Sequence, residues 1–89
     1  MTIKDIKAKY IGKRFNADDG YSVVTKAVSV RQNDGTCTVV LLSGSTGDYD
    51  IEAIIDRKSG ENLIPDRSRR ADSIVDAIDV AMEMYEDRK

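Results

Sequence analysis

The sequence predicts an α+β fold: an antiparallel β-meander of three to four strands with a short N-terminal helix and a longer C-terminal helix packed on one face. Three observations predict it. Apolar residues recur at helical spacing at both ends of the chain, runs rich in β-branched residues fill the middle, and glycine-containing turns separate those runs. The 89 residues suffice for one hydrophobic core, so we expect a single domain over residues 1–89.

The first element is a short helix within residues 2–15, predicted by apolar residues at helical spacing. Thr2 and Asp5 have the spacing of a capping box, in which each residue binds the other's backbone N–H. Gly12 is a suitable helix end, and residues 16–20 are typical of a turn.

Two strands follow, over residues 21–31 and 36–43, joined by the strongest hairpin signal in the chain at residues 33–35. Residues 39–42 are apolar without interruption, which predicts a central strand that is buried on both faces. Another turn is expected over residues 44–47.

A further strand is predicted over residues 49–56, where a two-residue period indicates one wetter face. Residues 62–64, just before Pro65, suit a short edge strand. The seven residues 55–61 resemble the hairpin of PepSY-type modules, and a likeness confined to one turn implies no function for this chain.

The C-terminal helix is predicted from about residue 68 or 72 to about residue 87. At about 100° per residue, its apolar side chains form one arc wide enough to pack on a sheet. The residues of this predicted stripe are Ala71, Ile74, Val75, Ile78, Ala81, Met82 and Tyr85.

Six carboxylates occupy the opposite arc of that helix, and we call them the acidic ridge: Asp72, Asp76, Asp79, Glu83, Glu86 and Asp87. Like charges at this spacing disfavour a helix by a few tenths of a kcal/mol per pair. The functional interpretation is a surface that docks on a basic protein partner and imitates the phosphate row of a nucleic acid. The competing interpretation is a solvated face that only aids solubility.

Two groups of basic residues are also candidates. Arg67, Arg69 and Arg70, the arginine cluster, are expected at or just before the start of the last helix, where guanidinium groups and free backbone N–H groups form an anion site. The competing interpretation pairs them with nearby carboxylates.

The basic N-terminal cluster is Lys4, Lys7, Lys9, Lys13 and Arg14, with Tyr10 and Phe15 as candidates for stacking on bases. A pI near 5.0 argues against general nucleic-acid binding. The competing interpretation is that these cations only bracket a buried helix face, with Tyr10 and Phe15 in the core.

Several chemistries are disfavoured by composition. The chain has no histidine, which excludes Ser-His-Asp and Cys-His sites, so we expect no enzyme. Cys37, the single cysteine, allows no intramolecular disulfide and is expected to be a buried, inert thiol. No calcium-loop spacing or phosphate-binding glycine pattern occurs, so no metal or cofactor is expected. The absence of a long apolar run indicates no membrane segment and a cytoplasmic location.

These observations favour a stand-alone interaction module that regulates or inhibits a larger, nucleic-acid-processing complex through the acidic ridge. In size and charge layout, though in no motif, the chain resembles small phage-encoded inhibitors such as anti-CRISPR proteins. The alternative is a nucleic-acid-binding accessory protein that uses the basic N-terminal cluster and the arginine cluster. A small enzyme built on carboxylates is the least favoured hypothesis. Homodimer formation through a free sheet edge, at residues 62–64 or on the first predicted strand, is left open.

Overall fold

The strands form one antiparallel sheet in chain order, with a helix before it and a helix after it. The computed structural model describes residues 2–17, 20–44, 48–65 and 67–88. Its elements are α1 (Ile3–Tyr10), β1 (Arg14–Ala17), β2 (Gly20–Arg31), β3 (Cys37–Ser43), β4 (Tyr49–Asp56), β5 (Arg69–Ala71) and α2 (Ile74–Asp87). The predicted α+β class and antiparallel meander are confirmed, and the short strands β1 and β5 extend the meander at its two edges.

Helix α1 begins with the expected capping box. The Asp5 N–H donates to Thr2 Oγ1 and the Thr2 N–H donates to Asp5 Oδ2, both at 3.2 Å. Hydrogen bonds with Thr2 lower the pKa of the Asp5 carboxyl below its ordinary value. The bond from the Thr2 backbone has the larger effect, and the bond with the Thr2 side chain has the smaller one. The helix ends at Tyr10, earlier than predicted, because Ile11 is extended and Gly12 has a φ of 87°.

The chain after Gly12 enters β1, which the sequence analysis placed in helix and turn. Its residues pair with 20–23 of β2 in antiparallel register. Four residues are too few to show a two-residue period, so this strand had no detectable sequence signal. Of the turns predicted over 16–20 and 44–47, residues 18–19 and 45–47 lie outside the described part of the chain.

The hairpin between β2 and β3 is confirmed. The Gln32 N–H donates to the Thr36 carbonyl at 2.9 Å, and the Gly35 N–H donates to the Gln32 carbonyl at the same distance. Gly35 has a φ of 88°, a conformation that glycine adopts without a steric penalty. The turn therefore fixes the register between β2 and β3, in which Arg31 lies opposite Cys37.

Strand β3 is buried on both faces, as its apolar run predicted. Val39 and Leu41 pack on the α1 side of the sheet, whereas Val40 and Leu42 pack on the α2 side. The buried core on the α1 side is Ile6, Tyr10, Val24, Val39, Leu41, Ala53 and Ile55. The core on the α2 side is Val30, Val40, Leu42, Tyr49, Ile51, Ile54, Ile64, Ala71, Ala77, Ala81, Met84 and Tyr85. The two helices therefore cover opposite faces of one sheet.

A bulge in β4 contradicts the prediction of one wetter face. Leu41 of β3 pairs with Ala53, and the next residue, Leu42, pairs with Ile51, so Glu52 is left over between the two pairs. Beyond Glu52 the alternation of faces is reversed. As a result β4 contributes buried apolar residues to both cores.

The predicted edge strand at residues 62–64 is not formed. Asn62 makes an isolated bridge to Ile55, and the Leu63 N–H donates to the Ile54 carbonyl at 2.8 Å. Ile64 is buried in the core on the α2 side. This segment therefore closes over the end of β4, and β5 takes the edge position instead.

Helix α2 begins at Ile74, after Ser73, whose hydroxyl accepts the Asp76 N–H at 3.0 Å. Its buried face is rotated from the predicted stripe. The residues buried on it are Ala77, Ala81, Met84 and Tyr85, whereas Val75 is 70% exposed. The expectation that Val75 is buried is wrong, because Ala77 and Met84, which lie outside the predicted stripe, are turned toward the sheet and Val75 is turned away from it.

The side chain of Tyr85 connects the C-terminal turn of α2 to the β2–β3 hairpin by hydrogen bonds. The hydroxyl of Tyr85 donates to Asp34 Oδ2 at 2.7 Å and lies 3.1 Å from Thr36 Oγ1. The Arg88 guanidinium lies 4.1 Å from the centre of the Tyr85 ring. Residues 51 positions apart are thereby joined, and the rotation of α2 on the sheet is fixed.

The substitution Tyr85→Phe should lower the free energy of unfolding by about 1–2 kcal/mol, because it removes a hydrogen bond to a carboxylate while keeping the ring. Urea denaturation measures it. Tyr49→Phe is the matched control, since the Tyr49 hydroxyl makes no hydrogen bond within the described residues, and its loss should be clearly smaller. Equal losses for the two variants would contradict the proposed role of Tyr85.

Candidate functional site

The acidic ridge lies on the outer face of α2, opposite the buried face. All six of its residues are exposed: Asp72, Asp76, Asp79, Glu83, Glu86 and Asp87. Asp72 precedes the helix, and the other five side chains occupy about 16 Å of helix axis. The ridge is thus a dense row of carboxylates on one side of the molecule.

One carboxylate of the ridge has a basic partner in the chain itself. Glu83 Oε1 lies 3.3 Å from Arg69 Nη1, with 59% and 46% of the two side chains exposed. A pair this exposed is worth about 0.2–1 kcal/mol and is screened by salt. Asp72, Asp76 and Asp79 form no salt bridge within the described residues. The N-terminal half of the ridge is therefore the part available to a partner.

An apolar strip borders the ridge, and sequence reasoning missed it. Val75 is exposed, and Ile78 and Met82, at helical spacing from it, are only partly buried. The strip belongs to the stripe predicted to pack on the sheet. Because the buried face of α2 is rotated toward Ala77 and Met84, one edge of the predicted stripe is left at the surface beside the carboxylates. No signal in the sequence distinguishes the apolar residues of α2 that pack on the sheet from those that are left at the surface.

Arg69 and Arg70 of the arginine cluster point to opposite faces of the sheet. Arg69 and Arg70 lie in β5 and not at the start of α2, which begins at Ile74. Successive residues of a strand point to opposite faces, so Arg69 reaches Glu83 on the α2 side while Arg70 Nε lies 3.9 Å from Asp50 Oδ1. Arg67 and Arg69 border one hollow together with Asp87, and Arg70 lies on the other face of β5.

The basic N-terminal cluster lies on the other side of the sheet, and all five of its residues are exposed. The Nζ atoms of Lys9 and Lys13 lie 5.3 and 5.2 Å from the centre of the Tyr10 ring. That ring is buried under α1, so it is not available to stack on a base. The side chain of Phe15, the other stacking candidate, lies outside the described part of the chain.

The two clusters proposed together for nucleic-acid binding are also far apart. Helix α1 contacts β2 and β3, whereas the arginines of β5 lie beyond β4 at the opposite edge of the sheet. Strands are spaced by about 4.8 Å, so roughly 14 Å separates β2 from β5. The basic N-terminal cluster and the arginine cluster therefore form two surfaces and not one groove.

The expectation of a buried cysteine is wrong. Cys37 is exposed at the first position of β3, because it lies beside the turn of the β2–β3 hairpin and belongs to neither buried core. It borders a shallow hollow with Arg57 and Lys58. Within residues 2–17, 20–44, 48–65 and 67–88, no three cysteine or carboxylate side chains lie close enough together to hold a metal ion.

No protein-family model matches the chain, and neither the curated proteins nor the solved structures include a detectable relative. Across the described residues, no helix combines the length and apolar character needed to cross a membrane.

The pair Arg69 and Glu83 should contribute a coupling of only about 0.2–1 kcal/mol to the free energy of unfolding, because both side chains are half exposed. A double-mutant cycle with Arg69→Ala and Glu83→Ala measures it, and the cycle for Arg70 and Asp50 provides the comparison. A coupling above about 2 kcal/mol would mean that the ridge is held by the chain's own cations.

Proposed function

We propose that the protein is an interaction module that binds a basic protein surface through the acidic ridge and the adjoining Val75, and thereby regulates or inhibits the complex to which that surface belongs. The observation that carries the proposal is the position of Val75. A large apolar side chain that is 70% exposed lies directly beside carboxylates without salt-bridge partners among the described residues.

This combination matches the anatomy of binding surfaces. Apolar contacts at the centre of an interface supply affinity, and charges around them supply steering and selectivity. An exposed valine does not contribute to the solubility of a helix face, although single exposed apolar residues do occur on ordinary surfaces. The valine and the carboxylates together therefore favour docking over solubility alone.

The electrostatics of α2 support the same proposal. Its last turn contains no basic residue, while Glu86 and Asp87 lie next to the negative end of the helix macrodipole. Each such charge destabilises a helix by about 0.3–1 kcal/mol. A basic partner would relieve both this cost and the repulsion between neighbouring carboxylates.

The spacing of the ridge suits a partner that ordinarily binds nucleic acid. Five carboxylates over about 16 Å of helix axis give roughly one charge per 3–4 Å, close to the one phosphate per about 3.4 Å of a DNA strand. We therefore propose a nucleic-acid-processing complex as the target class, with competition for its basic groove as the mechanism of inhibition. No catalytic step is part of this function.

The double substitution Asp72→Asn with Asp79→Asn should weaken capture of the partner from the native host at least about tenfold in 0.1 M salt, where such charges still act over about 10 Å. Quantitative mass spectrometry of the captured proteins measures it. The matched control is Asp48→Asn with Glu61→Gln, which removes the same charge from exposed positions outside the ridge.

The control variant should capture the same proteins as the unmodified chain, and Val75→Ser should weaken capture without changing its salt dependence. Unchanged capture by Asp72→Asn with Asp79→Asn would contradict the proposal. Salt-sensitive retardation of mixed nucleic acids in a gel-shift titration would instead support the accessory protein that binds through the basic N-terminal cluster.

A further inference from the structure

The outer edge of β2 is open along half of its length. Strand β1 pairs with residues 20–23 only, and the last contact on that side is between Lys13 and Val24, whose N–H donates to the Lys13 carbonyl at 3.0 Å. From Thr25 to Arg31, no other strand of the described chain pairs with this side of β2. The other side of β2 is paired with β3 from Lys26 to Arg31.

The direction of the unpaired backbone groups follows from the hairpin. The Gln32 N–H binds the Thr36 carbonyl, so Val30, Val28 and Lys26, at two-residue intervals before Gln32, also direct their N–H and C=O groups toward β3. A bulge at Thr25 ends this alternation, and the Val24 N–H faces Lys13 instead. Ala27, Ser29 and Arg31 then direct their N–H and C=O groups outward. These three residues form a regular row of donors and acceptors, which is the template for one more antiparallel strand.

A groove of about 510 Å³ follows this open edge. One wall comes from the end of α1, with Lys7 and Ile11, and the other wall comes from Ile74 at the start of α2. Ile11 is 44% exposed and is, with Val75, one of two large apolar side chains exposed among the described residues. Ala27 and Val28 line the groove between the walls.

The groove carries positive charge. Lys7 and Lys26 both line it, both are exposed, and neither forms an ion pair within the described residues. Arg31 lies further along the same edge. Cations on an edge strand discourage pairing with a neutral strand or another cationic strand, and they favour an acidic one.

We propose that the open edge of β2 binds an extended acidic and apolar segment of a partner protein as an added antiparallel strand. The segment's backbone pairs with Ala27, Ser29 and Arg31. Successive side chains of a strand point to opposite faces, so one set of the segment's side chains contacts Ile11 and pairs a carboxylate with Lys7. The other set contacts Ile74 and pairs a carboxylate with Lys26.

A second copy of this chain is a poorer occupant. Two copies joined through this edge bring the same basic side chains, Lys7, Lys26 and Arg31, into one interface, and like charges on neighbouring strands are unfavourable. The charge preference of this edge is also opposite to that of the acidic ridge. The two surfaces therefore select different partner segments, and the edge site does not depend on the function proposed for α2.

The test is fluorescence anisotropy with two labelled eight-residue peptides, one alternating pairs of valine with pairs of glutamate and one alternating pairs of valine with pairs of lysine, so that each face of the added strand carries both residue types. The glutamate peptide should bind saturably and at least about tenfold more tightly than the lysine peptide, by analogy with other charge-selected edges. The substitution Lys26→Glu should reverse this preference. Equal binding of the two peptides, or no binding of the glutamate peptide at millimolar concentration, would overturn the proposal.

A backbone test separates strand addition from simple charge attraction. Ser29→Pro removes an outward N–H while leaving the hydrogen bonds to β3 in place, and it should weaken binding of the glutamate peptide at least about tenfold. Ser29→Thr keeps the N–H, and this variant should bind the glutamate peptide as tightly as the unmodified chain does. Amide hydrogen exchange of Ala27 and Ser29 in the unmodified chain provides a readout that needs no variant, and the bound peptide should slow it. Unslowed exchange, or a dimer in sedimentation that Ser29→Pro dissociates, would show that this edge serves another purpose.

Discussion

The burial of β3 on both faces is the constraint on which the rest of the structure depends. An apolar strand inside a small sheet needs cover on each side, and the chain supplies it with α1 on one face and α2 on the other. Because each helix must turn its apolar side inward, its charged side faces outward. The basic N-terminal cluster and the acidic ridge are thereby placed on opposite sides of the molecule. Tyr85 fixes the second placement by joining α2 to the hairpin that also sets the register of β3.

The elements that could be predicted from the sequence are those with a long apolar or periodic run, or with a strong turn or capping signal. The hairpin at Gly35, the central strand and the capping box at Thr2 are of this kind, because local residues determine them. Strands β1 and β5 are too short to show a period, and their backbone pairing depends on distant strands. The bulge at Glu52 was missed for a related reason, since an extra residue is visible only in the register with β3.

For the candidate site, the composition and position of the acidic ridge could be predicted, but its apolar neighbour could not. The exposure of Val75 depends on the rotation of α2 that turns Ala77 and Met84 toward the sheet, which is a tertiary property. Strand β5 had no sequence signal, and it places Arg69 and Arg70 of the arginine cluster on opposite faces of the sheet. In the account proposed here, the chain carries two complementary surfaces: an acidic face with an apolar anchor on α2, and a basic open edge on β2.

The most direct measurement of the central claim is paramagnetic relaxation of methyl signals by two soluble spin probes, one neutral and one cationic. With the neutral probe, the methyls of Val75 on α2 and Ala8 on α1 should broaden strongly, and that of Ala81 should not. With the cationic probe, the broadening should increase at Val75 and decrease at Ala8, since the probe concentrates beside carboxylates and avoids lysines. Strong broadening of Ala81, or the same response to both probes at Val75 and Ala8, would contradict the proposed arrangement of helices and charge.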